Sequence, residues 1–191
     1  MLFAQNSWGE KLRMKFTAFT ALLFAIAPLL IAQANKEAAT ATANPIVTTV
    51  RQMEGRYAKN LTGAADEMPA DKYSYRPTPE QITFAHLMMH SAEANNSLCA
   101  AIAGEQASDV KLSETDSKDV LSKALKDSFA YCEQALAKAD DAALGQSITS
   151  SGQTGTRASA LMHLVSGWAD HYSAAAMYLR LNNLLPPSAK K

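Results

Sequence analysis

LMHLVSGWADHYSAAAMYLRLNNLLPP, residues 161–187, is the stretch whose reading decides the fold. Its apolar positions, Leu161, Leu164, Val165, Trp168, Tyr172, Ala175 and Leu179, recur at three- and four-residue steps, the period of one helix face. Pro186 and Pro187 bring it to a stop, because neither can continue a helix. His163 and His171 lie on the same helix, about 80° apart at 100° per residue. The helix is expected to start near Thr156 and to end by Asn183. Whether its imidazoles bind a metal or pack is the functional question it raises.

Upstream, the same period predicts three more helices. Asn44 followed by Pro45 gives an N-cap with proline at the first helical position, and Ile46, Val50, Met53, Tyr57 and Leu61 carry that helix to about Ala65. Residues 67–79 (EMPADKYSYRPTP) hold three prolines and read as an ordered, extended connection. A second helix is expected from Thr78, with Pro79 at its first position and Gln81 placed for a capping box, through Ile82, Leu87, His90, Leu98 and Ile102 to Gly104. The third begins near Ser117 and carries Val120, Leu121, Leu125, Phe129, Cys132 and Leu136. Residues 140–156 read as a polar loop, and no alternating β-branched stretch marks a strand. Four helices in a chain of this length make an all-α, up-and-down four-helix bundle over residues 44–188.

The N-terminus is read separately. Lys11, Arg13 and Lys15 precede the uncharged apolar run 16–31, which leads into Ala32-Gln33-Ala34. That order is a secretory signal peptide, residues 1–34, cleaved after Ala34, with 35–43 as a flexible lead-in. The expected location is periplasmic or secreted, with no stable membrane span after cleavage and either Met1 or Met14 as the start. Removing the segment leaves 15 basic and 17 acidic residues from 18 of each, a balance that excludes a nucleic-acid partner bound through a basic stripe. In an exported chain the two cysteines, Cys99 and Cys132, either form one disulfide or sit as two buried thiols.

Three passages carry a family likeness: residues 68–90 (MPADKYSYRPTPEQITFAHLMMH), residues 128–136 (SFAYCEQAL) and residues 171–188 (HYSAAAMYLRLNNLLPPS). They resemble the DinB-like family of four-helix proteins, and its exported branch most. That resemblance implies a divalent metal, Zn, Ni or Mn, held by one histidine from helix two and an H-x-x-x-H pair from helix four. His90 matches the helix-two ligand and His171 the second helix-four ligand, while Gly167 stands where the first of that pair belongs. The triad is therefore incomplete, and a chain with no metal at all is the other expectation.

Three substitutes come from spacing alone. His86 is four residues before His90 and can share an ion with it. His163 lies about 12 Å along the axis from His171, too far for both to reach one ion without distortion, and is expected to pack. Glu93 and Asp170 are nearby carboxylates able to ligate or orient an imidazole. Arg180 is expected to serve structure, and Trp168, Tyr172 and Tyr178 to belong to the core.

No phosphate-binding glycine loop, G-x-S-x-G, H-E-x-x-H or C-x-x-C occurs. The leading expectation is an exported bundle with a degenerate metal site that binds a small ligand. The alternative is a divalent-metal-dependent hydrolase or thiol transferase using His90 and His171. A homodimer is the expectation the resemblance adds.

Overall fold

The computed structural model describes residues 43–150 and 153–190. The expected signal peptide lies outside these residues, as does the lead-in up to residue 42. Within them the long helices are α1 (Pro45–Glu67), α2 (Phe84–Ala103), α3 (Lys118–Ala137) and α4 (Arg157–Leu181). α2 packs against α3 and α4, and α1 closes the square by packing against the same two. The all-α bundle is thus the observed architecture. Its centre is filled by large side chains with almost no exposure, among them Trp168, Phe84, Met88, Leu125, Leu161 and Leu179. None of the described helices is long and apolar enough to cross a membrane.

The helix ends follow the capping residues, with two departures from the sequence reading. α2 starts at Phe84 with Thr83 as N-cap, the Thr83 hydroxyl accepting from the His86 N–H, and not at Thr78. The reason lies in the connection before it. Gln81 N–H donates to the Thr78 carbonyl and closes a turn around Pro79, while the N–H groups of Phe84 and Ala85 donate to the Tyr75 and Tyr73 carbonyls. Ile82 therefore stays outside the helix and 43 % exposed, its carbonyl accepting from the Tyr178 hydroxyl at 2.6 Å.

Asn44 does stand at the N-cap of α1, but its side chain makes no capping bond. Instead Asp141, more than ninety residues away, accepts from the N–H groups of Ile46 and Val47 at 2.8 and 2.9 Å. The Asn44 amide oxygen in turn accepts from the Asp141 N–H. The negative charge sits where the helix dipole is positive.

The loop after α3 contains structure that the sequence reading did not anticipate. Residues 147–150 and 153–156 form antiparallel strands β1 and β2, with Ile148 opposite Gly155 and Thr149 opposite Thr154. Two four-residue strands rich in Ser, Thr and Gly carry little of the β-branched alternation that marks a strand, so their pattern is faint. β2 runs straight into α4, whose N-terminus is a reciprocal box between Thr156 and Ser159.

α2 ends at Gly104 as expected, in the left-handed conformation (φ 75°). α4 ends through Asn183, the only described non-glycine residue with positive φ (59°). The Leu184 N–H reaches back to the Leu179 carbonyl at 2.9 Å, the bond of a left-handed helix stop. After glycine, asparagine is the side chain that best tolerates that conformation.

Candidate functional site

Cys99 and Cys132 settle one alternative. They are joined by a disulfide between α2 and α3, both fully buried, with Cα atoms 5.2 Å apart. Beside it the interior holds a short polar chain. Asn95 on α2 accepts from the Trp168 indole N–H at 2.8 Å and donates to the Ser128 hydroxyl at 3.0 Å, tying α2 to α4 and α3. All three are nearly inaccessible, so these bonds satisfy groups that would otherwise be costly to bury. Trp168 and Tyr178 are core residues, and Tyr172 is half-buried with its hydroxyl donating to Ser188. The Arg180 guanidinium lies over the Ala176 carbonyl of its own helix.

The histidines meet between α2 and α4. The His90 and His171 rings are 5.0 Å apart, edge to face, His90 exposed and His171 half-buried. On α2, Ser91 orients the His171 ring. Its hydroxyl donates to the Leu87 carbonyl at 2.7 Å, so the contact with His171 Nδ1 at 3.2 Å has the ring N–H as donor. That assigns the neutral tautomer: the proton sits on Nδ1 and the lone pair on Nε2. Burial pushes the His171 pKa below its ordinary value and the nearby His90 adds to this, while the Asp170 charge pulls it partly back.

Gly167 lies beside this pair. A Cβ there would meet only the His171 ring, at 3.7 Å from Cε1, an ordinary contact. A side chain at 167 would therefore project alongside His171, where the third ligand of the resembled triad belongs. The other candidates do not fill the place. His86 stacks 6.5 Å from His90 and directs Nδ1 to Glu114 Oε2 at 3.1 Å. His163 is exposed rather than packed. Among the described residues no three His, Cys, Asp or Glu side chains converge closely enough to hold a metal ion. The residues present do not fit the family's metal.

What α2 and α4 do form is a pocket of about 420 Å³ running from His90 towards the start of α4. His90 and Glu93 line one wall, His163 and Ser159 the other, and Thr154 with Gly155 of β2 closes the end. Leu98, Ile148 and Ala160 give it an apolar floor. Its volume is within the range of small-molecule sites. The sequence reading missed Ser91, Asn95 and the hairpin as parts of this region. Ser91, Asn95 and Cys99 follow one another at four-residue steps on the buried face of α2, a polar stripe inside an apolar helix that was the available signal.

A helical bundle with a histidine pair between its second and fourth helices defines the class of protein. The sequence profile of the DinB superfamily matches residues 55–173, more than half of the chain. The chain belongs to the DinB superfamily. Solved structures agree at the level of fold. A DinB-like protein from Bacillus subtilis is 16 % identical, with a TM-score of 0.61 over 75 % of this chain and 99 % of its own. A DinB-like protein from Bacillus cereus is 14 % identical, with a TM-score of 0.57 over 69 % of this chain and 89 % of its own. A mycothiol-dependent maleylpyruvate isomerase is 15 % identical, with a TM-score of 0.54 over 66 % of this chain and 59 % of that longer one. No curated protein matches the chain in sequence.

Proposed function

We propose that this is an exported DinB-like protein whose metal site is degenerate and whose pocket between α2 and α4 binds a small ligand. The observation that carries the reading is the state of the triad. His90 and His171 face each other at 5.0 Å, but the position aimed alongside them is Gly167. Three protein ligands are the usual minimum for a catalytic zinc, and two imidazoles fall short of it. The pocket beside the pair keeps polar groups over an apolar floor, the composition of a binding site that does not need an ion. Export rests on the basic, apolar and small-residue order of residues 11–34, and the Cys99–Cys132 disulfide suits an oxidising compartment.

The test is metal analysis of protein purified without chelators or a histidine tag. Metal well below one equivalent, with a melting temperature indifferent to added zinc, nickel or manganese, is the expected result, because an ion that binds the native state must stabilise it. Near-stoichiometric metal that disappears in His90→Ala or His171→Ala would overturn the reading. A second reading, a divalent-metal-dependent hydrolase or thiol transferase using His90 and His171, draws support from the close approach of the two rings. It also draws on the fold shared with a mycothiol-dependent isomerase. The same metal measurement decides between the two.

A further inference from the structure

The chemistry of the pocket wall points to its ligand. Among its described lining residues Glu93 is the one carboxylate, and no lysine or arginine is present. His90 and His163 add two imidazoles from opposite walls, which in their neutral form each offer a lone pair. An anion would therefore meet a carboxylate and find no fixed cation. The start of α4, which reaches this end of the pocket, does not supply one either. Helix N-termini attract anions through free N–H groups. Here the N–H of Arg157 donates to the Gln146 carbonyl, that of Ala158 to the Leu144 carbonyl and that of Ser159 to the Thr156 hydroxyl. The Ser159 hydroxyl is also engaged, donating to the Thr156 carbonyl and accepting from the Thr156 N–H.

The Ser97 and Thr154 hydroxyls and the neutral imidazoles can each accept as well as donate, so Glu93 alone sets the charge the described lining favours, and the floor of Leu98, Ile148 and Ala160 is aliphatic. We infer that the pocket takes a small organic cation, a primary amine on a short apolar body, with its ammonium at Glu93 and its body over that floor. An ammonium has three donors and no acceptor, which matches a pocket lined by one carboxylate and two imidazoles able to accept. This rests on the small-ligand reading above and sharpens it to a ligand class. His163, which spacing alone assigned to packing, becomes a wall of the site, and the β1–β2 hairpin becomes its closing end.

The experiment is calorimetric and thermal-shift titration, at pH 7.5, of the full chain as purified from cells expressing it. The probes are three of equal chain length and different charge: hexylamine, hexanoate and hexanol. Hexylamine should bind and raise the melting temperature, at least tenfold more tightly than the other two. Glu93→Gln should weaken it tenfold or more, and His163→Gln should weaken it by a smaller factor. Glu93 and His163 are surface-accessible, and an unchanged circular-dichroism spectrum separates lost binding from lost folding. Preference for hexanoate or hexanol overturns the amine assignment and leaves the small-ligand reading standing. Hexylamine binding that ignores Glu93→Gln also overturns the assignment. Absence of binding by all three probes overturns both.

Discussion

Gly167 is the residue on which the functional reading turns, and Glu54 shows that the bundle also holds a charge against its own stability. Glu54 is 7 % exposed on the buried face of α1. Burial raises its pKa to about 7 from 4.5, Glu133 adds to this and Arg51 opposes it. A carboxyl whose folded pKa is raised binds its proton more tightly in the native state. Its contribution therefore favours folding most at acidic pH, declines as pH rises from about 4.5 to about 7, and is level above that. Glu54→Gln keeps the shape and removes the charge. It should stabilise the protein at pH 8 by about 1–3 kcal/mol, and by much less at pH 5. Urea denaturation of both proteins at the two pH values checks this; an equal effect at both would contradict it. The sequence showed Glu54 only as one glutamate in a helix, because its cost comes from neighbours on another element.

At the scale of the elements, two glycines in or at the ends of helices should behave oppositely. Gly104 ends α2 with φ 75°, and a Cβ there would lie 2.9 Å from Arg157 Nη2, the guanidinium that donates to the Ile102 carbonyl. Gly104→Ala should destabilise by about 1–2 kcal/mol, from left-handed strain and displacement of that guanidinium. Gly167 lies inside α4, where a Cβ meets nothing closer than 3.7 Å. Gly167→Ala should stabilise by about 0.5–1 kcal/mol, the ordinary helix cost of glycine. Chemical denaturation of the pair reads both signs, and a destabilising Gly167→Ala would show that the glycine is retained for packing. Asp141→Ala, which removes two acceptors from the start of α1, should cost about 1–2 kcal/mol in the same assay.

These elements also show what the sequence could and could not disclose. Periodicity and capping residues located α3, α4 and the Gly104 stop to within a residue or two, because those signals are local. The start of α2 lies five residues beyond the expected one because Pro79 suits a turn as well as a first helical position, and the Tyr73 and Tyr75 carbonyls decide between them. Asp141 as the cap of α1 was invisible for a related reason: its partner is made by the fold. For the site, His90 and His171 were legible from the family likeness, as was the departure at Gly167. The Ser91 bond that sets the His171 tautomer, and the pocket joining His90 to His163, required the packing of α2 on α4.

For the molecule as a whole, the disulfide and the interior polar chain hold three helices in one arrangement. Cys99–Cys132 closes a span of 33 residues between α2 and α3. Replacing both cysteines with alanine should cost about 2–4 kcal/mol in denaturation experiments, chiefly by freeing the unfolded chain. Neither cysteine is among the described lining residues of the pocket, so ligand binding by the folded double variant should persist. Loss of binding at full folding would show that the α2–α3 staple also sets the pocket.

The central claim is that the family's metal site survives in shape and lacks one ligand. Zinc titration of the wild-type chain beside Gly167→His tests it most directly, since a histidine at 167 projects next to the His171 ring, which itself lies 5.0 Å from the His90 ring. The account predicts no stoichiometric zinc on the wild type and one equivalent on Gly167→His, with a zinc-dependent rise in melting temperature that is abolished by adding His90→Ala. One equivalent of zinc on the wild type, lost on His171→Ala, would contradict it.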